Sequence, residues 1–279
     1  MNSNDYSEKI HFFSKVIELD PNDSAAFNNK GEALNNLKKY NEAIQSFDKS
    51  IQLDSNNSSA HSNKGWALNN LIRYNEAIQC FDKAIQIDPS NSVAYNNKGW
   101  ALNNLIRYND AIKCFDKAIK IDPHYALAYN NKGWALNNLL RHNEAIKCFD
   151  RAIKIDPNIS SAYNNKGWSL NNQLRYTEAI QCFDQSIQLD PNHSSAFNNK
   201  GWALSNLLRY DEAIKCFDQA IQNDPNYSSA YIGKGNALYS LKRYREAIIQ
   251  CYDIALQIDP NNSLAYYNKK IALDRLHGM

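Results

Sequence analysis

The chain is poor in most of the features that announce chemistry. Nine glycines and seven prolines are spread over 279 residues, and no phosphate-binding glycine loop occurs among them. The six histidines fall at unrelated places, and no group of His, Cys, Asp and Glu has metal-ligand spacing. Cys182 stands near His193 in the sequence, but no orienting group or oxyanion site accompanies the pair, so nucleophilic catalysis finds no support. The reading is therefore a non-enzymatic chain with no catalytic residue, no metal and no cofactor. Charge of one sign is lacking too. The 31 basic and 29 acidic residues leave a net charge of +2, which gives neither nucleic acid nor an anionic membrane a claim as general partner. No apolar run approaches membrane-spanning length, and Met1 to Ile10 has neither the positive start nor the apolar core of a signal peptide. The expectation is a cytoplasmic protein.

What the chain has instead is a period. Trp66, Trp100, Trp134, Trp168 and Trp202 follow one another at intervals of 34 residues, and Cys80, Cys114, Cys148, Cys182 and Cys216 keep the same step. Gly31, Gly65, Gly99, Gly133, Gly167, Gly201 and Gly235 carry the register to both ends. A fixed period of this length marks a stack of supersecondary units, which moves the functional question from a catalytic pocket to a repeated surface. The cysteines share one place in the unit. Equivalent helices of neighbouring units lie roughly 8 to 10 Å apart, beyond the about 7 Å limit for bridged Cα atoms, so they read as small buried fillers.

One unit, Ser92 to Tyr125, shows how the repeat folds. Tyr95, Gly99, Leu102 and Ile106 recur at helical spacing, as do Ala111, Ile112, Phe115, Ala118 and Ile119, which predicts two amphipathic helices. Asn109 is the expected N-cap of the second, with Asp110 in its first turn. Asp122-Pro123 ends it, because the residue before proline disfavours the helical region. Asn and Ser then return as caps before the next helix. Triplets such as Asn158-Ile159-Ser160 mimic glycosylation acceptors and are read as false positives.

The unit resembles a tetratricopeptide repeat, whose signature stands here as Tyr95, Gly99, Leu102, Tyr108, Ala111, Phe115, Ala118 and Pro123 and recurs in seven units from Ser24 to Asn262. The resemblance implies an all-α, right-handed superhelical solenoid of antiparallel helix pairs running through residues 1–279 as one domain. Residues 1–23 form an N-terminal capping helix, residues 24–262 the seven repeats, and residues 263–279 a C-terminal capping helix. It also implies that Gly99 and Ala111 face each other where the helices of a unit cross. A lysine precedes each glycine (Lys30, Lys64, Lys98, Lys132, Lys166, Lys200, Lys234), where the family usually has leucine. Its stem is expected to pack while its ammonium escapes or finds a partner, which the sequence does not name. The end segments carry Lys9 at the alanine place and Lys270 at the glycine place, so end-to-end joining of two copies is opposed by size and by charge. One inserted residue near Ile249 makes the last interval 35.

Function is expected on the face of the first helices that points away from the second ones. The helical wheel puts Trp66, Trp100, Trp134, Trp168 and Trp202 near the middle of that face. Beside them runs a file of Asn29, Asn63, Asn97, Asn131, Asn165 and Asn199, interrupted by Gly233 and resumed at Asn268, and a second file of Asn36, Asn70, Asn104, Asn138, Asn172 and Asn206. In the family this is the concave surface where ligands usually lie, and similar asparagine ladders in O-linked N-acetylglucosamine transferases hold the main chain of an extended peptide. A carboxamide offers a peptide unit both donor and acceptor, and tryptophan adds flat contact area. The bland alternatives are a solvated asparagine face and tryptophans that merely pack between first helices. Arg73, Arg107, Arg141, Arg175 and Arg209, continued by Arg243, form a rim. They serve either as cations at helix C-termini or as a rail for acidic side chains of a ligand. The lysine–asparagine–arginine clamp of chaperone-binding relatives is not reproduced. The expected partner is a protein or peptide in extended conformation, held by a monomeric scaffold. A self-associating scaffold and a targeting module cut from a larger enzyme are the alternatives.

Overall fold

The computed structural model describes residues 3–278; Met1, Asn2 and Met279, which belong to the expected capping segments, lie outside the described residues. Those residues contain helices and turns and no strand. They divide into two compact units, residues 1–139 and 140–279. The first unit holds α1 (Ser3–Leu19), α2 (Ser24–Asn36), α3 (Tyr40–Leu53), α4 (Ser58–Asn70), α5 (Tyr74–Ile87), α6 (Ser92–Asn104), α7 (Tyr108–Ile121) and α8 (Ala126–Asn138). The second holds α9 (His142–Ile155), α10 (Ser160–Asn172), α11 (Tyr176–Leu189), α12 (Ser194–Asn206), α13 (Tyr210–Asn223), α14 (Ser228–Ser240), α15 (Tyr244–Ala247), α16 (Asp253–Ile258) and α17 (Ser263–His277). Within each unit, consecutive helices joined by short turns pack as pairs, and each pair packs on the next.

The turn inside a pair differs from its sequence-based expectation. After α6 the chain passes over Leu105, Ile106 and Arg107. Ile106 takes the left-handed conformation with φ 62°, and the Arg107 N–H reaches back to the Leu102 carbonyl at 2.9 Å. This is the usual helix-ending motif, but with a β-branched residue where glycine is normal. Ile72 repeats it, and Lys38, Leu140, Leu174, Leu208 and Lys242 take the same left-handed conformation with unbranched Cβ atoms. The turn is so tight that α7 begins at Tyr108 with Arg107 at the N-cap and no side-chain cap, which corrects the assignment of Asn109. At the other end Asp122 is extended, as its proline neighbour requires. Asp23, Asn57, Asn91 and Asn262 then cap the following first helices by accepting from the N–H three residues on, at 2.8–3.0 Å. Tyr125, Ile159, His193 and Tyr227 hold the same place without a side-chain cap.

The core repeats with the sequence. In the first unit Leu102, Ala111 and Phe115 cluster with Ala135 of the next first helix; in the second, Leu170, Ala179 and Phe183 cluster with Ala203. The phenylalanine thus fills the space between its own first helix and the following one. The ring adds to the glycine a contact that the sequence reading did not name. A Cβ on Gly99 would meet Cε1 of Phe115 at 2.6 Å, and Gly31, Gly65, Gly167 and Gly201 face Phe47, Phe81, Phe183 and Phe217 at 2.5–2.7 Å. The atoms nearest to the missing side chain belong to the ring one turn beyond the alanine, so the ring demands the glycine. The inserted residue near Ile249 is absorbed as a π-helical turn over Ile248–Tyr252 between α15 and α16, a common way for a helix to take in one extra residue.

Replacing Gly99 by alanine isolates the ring contact, because helix propensity alone favours alanine by about 1 kcal/mol. A net loss of about 1–3 kcal/mol is expected from overpacking against Phe115, read as a lower urea midpoint at unchanged slope, with Phe115→Leu relieving part of it. A raised midpoint for Gly99→Ala would contradict this account.

Candidate functional site

The tryptophans are less open than the helical wheel suggests. Trp66, Trp100, Trp134 and Trp168 are 37–39% exposed. Each sets its ring edge-on against the first residue of the preceding second helix: Tyr40, Tyr74, Tyr108 and His142, with centroids 5.7–6.1 Å apart. Trp202 turns instead to Phe217 of its own pair at 5.7 Å. One side of each indole therefore seals a joint and the rest faces solvent.

The asparagines come as doublets, and the spacing of the doublets sorts them. Asn28-Asn29 and Asn35-Asn36 are seven residues apart, two helical turns, so the first members share one face and the second members another. The expected files consist of second members only. The first members Asn28, Asn96, Asn130, Asn164 and Asn198, and Asn35, Asn69, Asn103 and Asn137, are buried, and sequence reasoning passed over them although every doublet carries the signal. They knit the joints. Asn63 donates through Nδ2 to Asn28 Oδ1 at 3.1 Å, Asn131 to Asn96 at 3.0 Å, and Asn199 to Asn164 at 3.0 Å. Asn35 and Asn69 donate to the main-chain carbonyls of Asn63 and Asn97 at 3.3 and 3.2 Å, while their Oδ1 atoms have no partner. The first expected file is thus half-buried and engaged between repeats. The second is exposed, and Asn36, Asn70, Asn104, Asn138 and Asn172 each donate to the carbonyl four residues back at 2.8–2.9 Å.

Charge is paired within the array. The lysine before each glycine bonds the aspartate sixteen residues earlier, on the preceding second helix: Lys64–Asp48, Lys98–Asp82, Lys132–Asp116, Lys166–Asp150, Lys200–Asp184 and Lys234–Asp218, at 2.5–2.8 Å. Lys269 and Asp253 repeat the pair at 2.6 Å. Before Lys30 the aspartate place is Ser14. The rim arginines sit at the N-caps of the second helices and clamp a carboxylate three residues on. Arg73 holds Glu76 with two bonds of 2.7 Å, and Arg107–Asp110, Arg141–Glu144, Arg175–Glu178, Arg209–Glu212 and Arg243–Glu246 follow. These hydrogen bonds hold the carboxyls of Glu76, Asp110, Glu178, Glu212 and Glu246 below their usual range.

The cysteines are free, and burial pushes the thiols of Cys80, Cys114, Cys182 and Cys216 up and that of Cys251 to about 12, so their thiolates are scarce near neutrality. His193 engages Ser160 Oγ at 2.9 Å and Ser186 Oγ at 3.1 Å through Nδ1, where Asn57 meets Ser24 and Ser50 in the first repeat. A place that asparagine also fills is a structural joint.

In the first unit the expected residues converge. Trp66, Asn70, Asn97, Trp100 and Asn131, from α4, α6 and α8, line one recess of about 200 Å³ together with Asn69, Asn96 and Leu127. No charged side chain contributes. The surface offers amide donors and acceptors between two half-open indoles, which suits a neutral polar chain with apolar side groups.

The fold and this face define an array of helical hairpins presenting a repeated polar and aromatic surface. Models of the tetratricopeptide repeat match residues 24–57, 58–91, 92–125, 126–159 and 160–193, and a further one matches residues 198–263. The chain belongs to the tetratricopeptide-repeat family, whose members bind protein partners and whose fold is generally a non-enzymatic interaction scaffold. No curated protein matches it. Among solved structures it is similar to a chain of the APC/C hetero-tetramer Cut9–Hcn1, with TM-score 0.78 and 18% identity over 96% of this chain and 52% of that one. This chain therefore spans about half the length of that relative. It is also similar to YrrB, described as a TPR protein with an unusual peptide-binding site (TM-score 0.53, 25% identity, 69% of this chain and 99% of that one). Yeast Tom70 gives TM-score 0.64 at 17% identity, over 99% of this chain and 60% of that one. Among the described residues no helix is long and apolar enough to cross a membrane.

Two asparagines separate the roles of the doublets. Asn96→Ala removes a buried acceptor from a joint and is expected to cost about 1–2 kcal/mol, whereas exposed Asn104→Ala stays within about 0.5 kcal/mol. Equal midpoints in urea denaturation would remove the distinction.

Proposed function

We propose that the chain is a non-enzymatic scaffold that holds an extended polypeptide segment along the outer face of its first helices. The observation that carries this reading is the uncharged recess, where two tryptophans and amides from three successive first helices meet. The rim arginines favour it as well: each is committed to a carboxylate of its own helix, so the surface is nearly neutral and reads backbone and apolar groups before charge. The YrrB likeness adds a relative whose description names a peptide-binding site. In the second unit Trp168, Trp202, Asn165, Asn172, Asn199 and Asn206 form the corresponding face. Residues 1–23 and 263–279 act as end caps of the seven repeats, and the array works as a monomer within the cytoplasm.

Probing a library of random twelve-residue peptides with the full chain tests the reading. In Trp66→Ala/Trp100→Ala, with helicity unchanged, loss of two aromatic anchors is expected to weaken recovered peptides by about 2 kcal/mol or more, roughly thirtyfold in Kd. Salt is expected to matter little, since screening acts on charges that this floor lacks. Equal affinity of the variant, or a steep fall with salt, would remove the groove from the account.

A further inference from the structure

One rung of the amide ladder is missing in the first unit. Between α2 and α4, Asn28 receives Asn63 Nδ2, and between α6 and α8, Asn96 receives Asn131 Nδ2. Between α4 and α6 the acceptor place falls on Ser62, a buried residue with a shorter side chain. Among the described residues nothing bonds the nitrogen of Asn97, whose oxygen accepts from Asn96 Nδ2 at 3.2 Å. Three carboxamides thus form a chain, from Asn131 through Asn96 to Asn97. Its two ends, the oxygen of Asn131 and the nitrogen of Asn97, are left without a bond, and both side chains line the recess of about 200 Å³.

The gap between these ends is one carboxamide wide. That of Asn96 already spans it, nitrogen toward Asn97 and oxygen toward Asn131, with bonds of 3.2 and 3.0 Å. A second primary carboxamide spans it in the opposite sense, accepting from Asn97 and donating to Asn131. Asn69 and Asn70 supply further acceptors in the lining. Their nitrogens are held by the main-chain carbonyls of Asn97 and Trp66, which can only accept, so the oxygens are the atoms left over. The lining is rich in lone pairs and carries no charge.

We propose that this recess recognises a primary carboxamide side chain, glutamine or asparagine, of the extended segment; the inference rests on the groove reading and names the side chain read there. Each competitor fails on a particular atom. Glutamate has the shape of glutamine but no donor for Asn131, and it sets a carboxylate against the lone pairs of Asn69, Asn70 and Asn131. Methionine leaves both ends of the amide chain unbonded. Arginine donates but cannot accept from Asn97, and no acidic side chain lines the recess to offset the desolvation of its charge. Trp66 and Trp100 line the same recess and offer ring surface to the methylene stem.

The probe is the tightest twelve-residue peptide that the full chain recovers from the random library, labelled with fluorescein and read by anisotropy. Glutamine or asparagine is expected to be enriched at one position. Replacing it there by glutamate or aspartate is expected to raise Kd about tenfold or more, and by methionine or arginine about fivefold. Asn97→Asp in the chain reverses the preference. It keeps the oxygen that accepts from Asn96 and turns the donor into an acceptor, so the arginine peptide is expected to overtake the glutamine one, with circular dichroism unchanged. Peptides that bind and weaken in Trp66→Ala/Trp100→Ala, yet take glutamate as well as glutamine, overturn the carboxamide and leave the groove standing. Recovery led by arginine in the natural chain overturns it too, and makes the recess a cation site. Absence of saturable binding by any peptide removes the groove and this inference together.

Discussion

Within each unit the paired helices close on an aromatic ring laid against a glycine. The contact fixes how near the helices come, because the ring fills the space where any side chain would begin. It also joins repeats, since Phe115 packs with Ala135 of the following helix and Phe183 with Ala203. Burying one phenylalanine is worth roughly 1.5–3 kcal/mol, and the same side chain contributes to the stability of a pair and of its junction. Stability in such an array is a sum of unit and nearest-neighbour terms, and here one residue carries much of both. The alanines at the 43 and 77 places, wholly buried, are small because the ring has already set the distance.

Apolar contact is not directional, and rings on glycines alone leave the rotation of one pair on the next loosely defined. The polar joints remove that freedom. A hydrogen bond of 3.0 Å from Asn131 Nδ2 to Asn96 Oδ1 tolerates little angular error, and the lysine–aspartate pair adds a second point of register on the other side of the first helix. The ion pairs are half-open to water and contribute little stability by themselves. The buried carboxamides cost desolvation, more so where Oδ1 of Asn35, Asn69 and Asn103 has no partner. Their return is alignment, and alignment keeps Trp66, Trp100 and the amides between them in one recess.

Period, helix pairs, helix ends at proline and the identity of the outward face were all legible in spacing, because each depends on residues within one helix or one turn. Relations across a repeat boundary were not. The aspartate that receives each lysine lies sixteen residues back, and the tyrosine or histidine that meets Trp66, Trp100, Trp134 and Trp168 lies twenty-six back, distances a helical wheel does not connect. Ile72 and Ile106 concealed the turn, since a left-handed residue is normally announced by glycine. The doublets hid half of the asparagines for the opposite reason: an amide is assumed to face water, yet a step of one residue rotates the side chain by about 100°, enough to carry its neighbour into the joint.

The seventh repeat shows how far one change propagates. Tyr252 takes the phenylalanine place and lies against Gly235 with 1% exposure. A buried hydroxyl requires a partner, and the indole found at the equivalent of position 236 in the five preceding repeats could donate but not accept. Asn236 stands there instead and accepts from Tyr252 Oη at 2.9 Å and from Asn268 Nδ2 at 2.9 Å. The same oxygen therefore satisfies the new hydroxyl and ties α14 to α17. Burial pushes the Tyr252 phenol up, keeping it a donor. In the same helix as Asn236, Gly233 replaces the asparagine of the first file and receives the ring of Phe217 from the preceding repeat, and that ring also meets Trp202 and takes it from the tyrosine it would otherwise face. The loss of tryptophan and asparagine at this end is thus a repacking around a polar core and not decay of the pattern, which is why the aromatic face stops where the hydroxyl begins.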